Sequence, residues 1–301
     1  MQVGWFNHPK YVRVRERLIK SLTSDHYRFR RSEPVVFICG GEKSEPRDQL
    51  AAYLKKYQPK VRLFYAEAVW ELIATRLPLG ALKLEAELAE LADLVVIIVE
   101  SPGTFAELGA FSNSDVLRPK LLPIIDKRYS PPQRSFLASG PIRWIEAESN
   151  FSPPIYVPLK SILMAAGEVE ERISRIKRHA AHIASLTDNS KHLLLFICDL
   201  IAIIHPATIE LVEAYCARIF PLDPPGDSVA TMIALAKAMG LLSSITLNGE
   251  HYFSPSSEDA TSNPFHHVRL DGLPALRAEQ VSALLSIPEA LKIIEEIRRT
   301  S

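Results

Sequence analysis

The sequence lacks the two glycine-rich patterns that most often bind phosphate at the start of a helix. Neither G-x-G-x-x-G nor G-x-x-x-x-G-K-[ST] occurs among its 301 residues. In Rossmann dinucleotide sites and Walker-type NTP sites, those glycines let backbone N–H groups approach a phosphate. We therefore expect neither kind of site.

Cysteine is also scarce, with Cys39, Cys198 and Cys216 as the only three. Their odd number and their spacing fit neither a disulfide framework nor a set of metal ligands. We expect no metal site and no cofactor. No apolar stretch approaches the roughly 20 residues of a membrane-spanning helix, and nothing resembles a signal peptide. A reducing cytoplasm without membrane contact is the expected location.

An excess of one charge is absent as well, because 35 basic residues balance 35 acidic ones. Bulk charge therefore gives no argument for nucleic acid or membrane binding. The charge is not balanced near the N-terminus, because positions 10 to 31 contain eight Lys or Arg but only two acidic residues, Glu16 and Asp25. This basic arm could meet a phosphate backbone. Alternatively, it is a solvated amphipathic helix that turns Val12, Leu18, Ile19 and Leu22 inward.

Short apolar runs alternate with helical patterns through the first half of the chain. The runs predict strands at residues 35–39, 61–65, 94–99, 121–125 and 155–157, and helices are expected at 46–57, 68–75, 80–92 and after residue 100. Strands separated by helices indicate an α/β fold with a parallel, doubly wound sheet of the flavodoxin-like kind.

The second half is predicted to be helical and to end in a hairpin. Helices are expected at 191–204, at 207–220 and from 227 or 228, and Asn248-Gly249 predicts a hairpin turn within 245–253. This order predicts a small winged helix-turn-helix-like domain. Its third helix carries only Lys237 as a cation, so direct reading of base edges is not expected. The expected division is a basic N-terminal helical arm at 1–31, an α/β domain at 32–160, a connecting helix at 161–190 and the winged-helix-like domain at 191–301.

The most informative segment runs from Glu100 to Phe111 and follows a predicted buried strand. A strand, a glycine-containing turn and a helix bring Glu107 to the carboxyl edge of the sheet, where open α/β sheets bind ligands. Glu107 could then be a ligand-binding or nucleophilic carboxylate. Thr104-x-x-Glu107 also fits a capping box, a purely structural role. Gly40-Gly41 after the first strand is either a plain turn or a bare backbone that a ribose or phosphate approaches.

The motif at residues 103–109, Gly-Thr-Phe-Ala-Glu-Leu-Gly, resembles the G-T-x-x-E-[IL]-G element of nucleoside 2-deoxyribosyltransferases. The sequence resembles still more closely the retron effector proteins that join such a domain to a winged-helix-like domain. This resemblance rests on residues 38–41, 64–67, 100–113, and 134–136 with 140–143.

The resemblance implies that Glu107 is the nucleophile at the anomeric carbon of a nucleoside. Substrate binding is then expected from Gly40, Gly41, Tyr65, Glu67, Glu100, Ser101, Gly103, Thr104 and Asn113. The acid that receives the leaving base is not fixed by spacing, and Glu67, Asp93 and Glu100 are candidates. Since these transferases complete their sites across subunits, Ser112, Asn113 or Arg143 could act from a neighbour in a homo-oligomer or higher assembly.

The resemblance further implies an anti-phage toxin that acts as an N-glycosidase on a nucleotide. NAD, cleaved to nicotinamide and ADP-ribose, is the expected substrate. The expected partners are a retron reverse transcriptase and its multicopy single-stranded DNA–RNA product, which would hold the toxin in check. The alternatives are a deoxyribosyltransferase or nucleoside hydrolase of salvage, and a non-catalytic regulator that senses nucleotide and binds nucleic acid.

Overall fold

A computed structural model describes residues 4–24, 34–41, 43–65, 89–129, 135–177, 189–226, 228–256 and 273–300. The chain divides into two compact units, Glu33–Arg178 and Met1–Ser32 with His179–Ser301. The basic arm was predicted to be a separate segment, but it is grouped with the C-terminal residues.

The unit Glu33–Arg178 is built on a five-stranded sheet in which every strand pair is parallel. The strands are β1 (Val35–Cys39), β2 (Arg62–Phe64), β3 (Leu94–Val99), β4 (Leu121–Asp126) and β5 (Ile155–Val157). Their order is β2-β1-β3-β4-β5, the flavodoxin-like arrangement. The predicted fold class is therefore confirmed.

The central strands are almost entirely apolar, with Asp126 at the end of β4 as the exception, because both faces of the sheet are covered. Every residue of β1, β3 and β4 is buried, as expected for parallel strands with helices on either side. On one face, Ile38 lies opposite Val96, and Val96 lies opposite Leu122. These side chains share a core with Leu50 and Val169, which come from two covering helices.

The helices of this unit are α2 (Glu45–Tyr57), α3 (Pro102–Ser112), α4 (Arg143–Glu148) and α5 (Ala166–Ser174). Short 3-10 segments at 118–120, 127–129 and 159–165 and a π turn at 138–142 complete it. The helix expected from about residue 161 instead begins at Ala166, because Ser161 has non-helical φ and ψ of −124° and 45°. The helix predicted at 68–75 and nearly all of that predicted at 80–92 fall outside the described residues.

The other unit contains α1 (Pro9–Leu22), α6 (Ser190–Ile204), α7 (Ile209–Ile219), α8 (Ser228–Ala238), α9 (Leu273–Leu285) and α10 (Pro288–Thr300). Its antiparallel hairpin pairs β6 (Leu242–Leu247) with β7 (Glu250–Pro255). Asn248 and Gly249 form its turn with φ of 52° and 81°, the positive values that a type I′ turn requires. The predicted hairpin is confirmed. No helix within the described ranges is both long and apolar enough to cross a membrane.

Candidate functional site

The site lies where the sheet changes its winding direction. β1 and β3 are neighbours, with β2 beyond β1 and β4 beyond β3. Ligands of such sheets bind in the crevice at the carboxyl ends of the two central strands. Gly40-Gly41 follows β1 and Glu100-Ser101 follows β3, so the structure brings these four predicted residues to one place.

A hydrogen bond joins the two strand ends across this crevice. Oε1 of Glu100 accepts the Gly41 N–H at 2.8 Å. A Cβ on Gly41 would lie 3.4 Å from that same oxygen, which is ordinary contact, whereas a Cβ on Gly40 would lie 3.0 Å from the Cβ of Arg47. Gly40 therefore lets the turn pack closely on α2. Glu100, a candidate acid for the leaving base, is engaged in fixing the turn.

The start of α3 is held by Ser101 and Thr104. Ser101 is the N-cap, and its Oγ accepts the Thr104 N–H at 3.4 Å. The buried Thr104 Oγ1 accepts the N–H groups of Glu100 and Ser101, both at 3.0 Å. The capping box predicted for Thr104 with Glu107 is therefore wrong, because the box that forms lies one turn earlier.

Glu107 lies in the second turn of α3, at the edge of the stripe that faces the protein interior. Thr104, Leu108 and Phe111 form that stripe and are buried. Glu107 stands three residues after Thr104 and is half-buried, with its Oε2 atom inaccessible to solvent. Residues three and four apart share a helix face. The carboxylate is consequently turned toward the interior instead of being displayed on the surface.

The remaining predicted residues lie at different positions on the fold. Gly103 is in the first turn of α3. Tyr65 follows β2, and its ring lies below the Arg47 guanidinium at 5.3 Å from the ring centroid. Asn113 is the exposed C-cap of α3, about 15 Å along the helix from Gly103. The described part of this chain does not bring Asn113 to the crevice, and Glu67 lies outside the described residues.

Two other candidates are excluded by their positions. Asp93 precedes β3, and its Oδ2 accepts the Val35 N–H at 2.8 Å at the amino edge of the sheet. Six residues of strand, about 20 Å, separate it from the crevice. Ser112, considered for action across a subunit interface, is buried, and its Oγ donates to the Gly109 carbonyl at 3.0 Å. Asn113 and Arg143 are exposed.

A cleft of about 510 Å³ opens at the same carboxyl edge, and several residues that line it were not predicted from the sequence. Besides Glu100, its lining includes Asp126 and Arg128 at the end of β4, Glu45 on α2, and Lys160. The buried Asp126 accepts hydrogen bonds from the Arg128 backbone at 2.9 Å and from its side chain at 2.8 and 3.1 Å. The Arg128 side chain is the main reason that the pKa of Asp126 is lowered. A carboxylate directly after an apolar strand was the available signal.

Within the described ranges, no three His, Cys, Asp or Glu side chains cluster in a way that could hold a metal ion. Cys39, Cys198 and Cys216 are free and buried. The fold and the site thus define an α/β protein with a ligand crevice at its switch point and a half-buried glutamate on the following helix.

Comparison with known proteins supplies the family. The model of a family described as "STM3845 retron effector protein" matches residues 43–244, more than half of the chain, and the chain belongs to this family. The predicted relationship to retron effectors is confirmed.

Two relatives come from Escherichia coli. "Retron Ec86 putative ribosyltransferase/DNA-binding protein" is 39% identical over 133 residues, which is 42% of this chain and 43% of the relative. "Retron Ec73 putative ribosyltransferase/DNA-binding protein" is 36% identical over 125 residues, 39% of each chain. The matches span less than half of either relative.

Proposed function

We propose that this protein is a retron effector with N-glycosidase activity and that Glu107 is its nucleophile. The observation that carries the proposal is the position of Glu107 on α3, the helix that follows β3 at the switch point, with its carboxylate turned toward the interior. The capping box of α3 consists of Ser101 and Thr104, so capping does not account for Glu107. The ribosyltransferase part of the relatives' names supports chemistry at a ribose carbon.

The proposed reaction has two displacements at the anomeric carbon. A Glu107 oxygen attacks this carbon, and the electron pair of the broken C–N bond leaves with the base. Water then attacks the same carbon of the glycosyl ester, the ester C–O bond breaks, and the Glu107 carboxylate is restored as the water loses a proton to solvent. Retaining glycosidases use this sequence of steps.

NAD is the substrate that suits this site best. Its nicotinamide ring is cationic while bound to ribose and leaves as a neutral molecule, so departure requires no general acid. Two of the three acids considered for that role are engaged elsewhere, since Glu100 accepts the Gly41 N–H and Asp93 lies at the other edge of the sheet, while Glu67 is outside the described residues. Hydrolysis of NAD would give nicotinamide, ADP-ribose and one proton.

Replacing Glu107 by Gln tests the proposal with almost no change in side-chain volume. We expect the E107Q variant to lose toxicity and base release, measured by metabolite profiling of expressing cells and by nicotinamide release in vitro. Glu146→Gln is the matched control, because this glutamate is exposed on α4. Full base release by E107Q, or equal losses in both variants, would reject Glu107 as the nucleophile.

Transfer to an acceptor is the second candidate reaction, and the names of the relatives favour it. The two reactions differ in what attacks the glycosyl ester. A hydrolase forms product in buffer alone, whereas a salvage deoxyribosyltransferase requires an acceptor base. Binding of nucleotide without turnover in either assay would instead identify the chain as a nucleotide-sensing regulator.

The partners follow from the family. We propose that a retron reverse transcriptase and its multicopy single-stranded DNA–RNA product bind this protein and restrain its activity. The DNA-binding part of the relatives' names supports a nucleic-acid contact. A homo-oligomer in which the exposed Asn113 and Arg143 reach a neighbouring site, and a cytoplasmic location, are further parts of the proposal.

A further inference from the structure

Burial separates the five basic residues of α1 into two groups. Arg15 is turned inward, where it donates to the Phe6 carbonyl at 2.8 Å and lies over the Phe6 ring. The exposed members are Lys10, Arg13, Arg17 and Lys20. These four residues are called the α1 ridge below.

The α1 ridge is straight and continuous. Its positions are separated by three, four and three residues, so they fall within an arc of about 80° on the helix surface. The ridge extends for about 15 Å along the axis. With a nominal rise of about 3.4 Å per nucleotide, that length corresponds to roughly four phosphates of one strand. Four cations therefore face a matching number of charges.

The opposite face of α1 anchors the ridge within its unit. Tyr11, Leu18 and Leu22 are buried, and the Tyr11 and Tyr215 hydroxyls share a hydrogen bond of 2.9 Å. On the ridge itself, the Lys10 Nζ donates to the Ser286 carbonyl at 2.9 Å, which adds a further link within the unit. The helix that presents the ridge is thus held by packing, and its cations are displayed without a folding step.

Neighbouring acidic residues neutralise the charge of the α1 ridge only in part. Arg17 pairs with Glu279 at 2.6 Å, although the Arg17 side chain stays 64% exposed. Glu16, the acidic residue on α1, is engaged by Arg15 and Arg218. Within the described ranges, the side chains of Arg13 and Lys20 form no ion pair or hydrogen bond.

The elements that a winged helix would normally offer to nucleic acid are poor in cations. The β6–β7 hairpin contains no Lys or Arg, and Glu250 stands beside its turn. Lys237 is the single cation of α8. Phosphate contacts come mainly from Lys and Arg, so neither element matches a nucleic-acid backbone as the α1 ridge does.

We propose that the α1 ridge binds the sugar–phosphate backbone of nucleic acid without reading its sequence. The inference rests on the proposed nucleic-acid partner of the retron effector and deepens it by assigning the contact surface. It does not depend on the role of Glu107. Oligonucleotide binding is measured without nucleotide substrate, and base release is measured without nucleic acid, so the two proposals can fail separately.

The test is the salt dependence of binding, measured by fluorescence anisotropy with the full chain. The probe is a labelled single-stranded DNA of about 20 nucleotides, longer than the ridge, titrated between about 0.05 and 0.3 M salt. Four phosphate contacts on single-stranded DNA predict that the logarithm of the binding constant falls with the logarithm of the salt concentration with a slope of about −2.8. The Arg13→Gln, Lys20→Gln double variant should halve this slope and weaken binding roughly tenfold at about 0.15 M salt.

Matched controls separate the ridge from general charge. Lys56→Gln with Lys60→Gln removes two exposed cations from the other unit and should leave the slope unchanged. Arg13→Lys keeps the charge and should keep the slope. The proposal is overturned if the wild type shows no salt-dependent binding to the oligonucleotide. That result is the one expected if the α1 ridge docks an acidic protein instead. The proposal is also overturned if the ridge and control variants lose affinity equally.

Discussion

Thr104→Val separates the capping role at the start of α3 from the chemical role that we propose for Glu107. The variant has nearly the same shape as the wild type but no hydroxyl. Thr104 Oγ1 accepts two backbone N–H groups at 3.0 Å and donates to the Ser101 carbonyl at 2.9 Å. Leaving a donor without its partner costs about 1 to 3 kcal/mol when it is buried. These donors are only partly buried, so about 1 kcal/mol each, or about 2 kcal/mol together, is expected.

Urea denaturation followed by circular dichroism measures this effect. With an m-value of about 2 kcal/mol/M, the midpoint of the unit that contains α3 should fall by about 1 M. Ser101→Ala removes one cap acceptor and should cost about 1 kcal/mol. Glu107→Gln should cost less than Thr104→Val, because it removes no acceptor from the cap of α3. A Glu107→Gln variant as unstable as Thr104→Val would refute the assignment of the cap and, with it, the argument for a chemical Glu107.

Two further predictions concern the glycine turn and acid stability. Gly40→Ala should destabilise by about 1 to 3 kcal/mol in urea denaturation, because its Cβ would press on Arg47 at 3.0 Å. Gly41→Ala should keep the wild-type midpoint but slow base release if substrate approaches this backbone. Burial lowers the pKa of His205 to about 3, so stability is full above the unfolded pKa of about 6.5 and is lost as pH falls toward 3, by up to about 1.4 kcal/mol per pH unit. His205→Gln should flatten this dependence in denaturation series at several pH values, and an unchanged slope would contradict it.

The strands could be predicted closely because the sheet is buried on both faces. β1 and β3 are uninterrupted apolar runs, and β4 is apolar up to Asp126, so these segments contrast sharply with the amphipathic helices between them. β3 and β1 begin and end as expected. The connection after β5 could not be predicted in this way. A helix was predicted from about residue 161, but Ser161 has non-helical φ and ψ, and the α-helix begins only at Ala166.

The site was only partly predictable, since sequence proximity and spatial proximity differ across a sheet. Glu100 and Asp93 flank the same strand and are equivalent candidates in the sequence, yet they lie at opposite edges of the sheet. Asp126 and Arg128 are distant in sequence from the motif but line the cleft with Glu100. Parallel topology produces this outcome, because only residues that follow strands gather at the carboxyl edge.

The start of α3 shows how one overlooked signal changes a functional conclusion. The sequence contains two overlapping capping-box patterns, Ser101-x-x-Thr104 and Thr104-x-x-Glu107. Only the second ends in the Glu that capping boxes usually have. Pro102 distinguishes them, because proline favours the first helical position and therefore indicates Ser101 as the N-cap. Because the helix begins there, Glu107 lies beyond the first turn and cannot cap the helix. The half-buried carboxylate of Glu107 then has no capping role, which is compatible with the nucleophilic role that we propose for it.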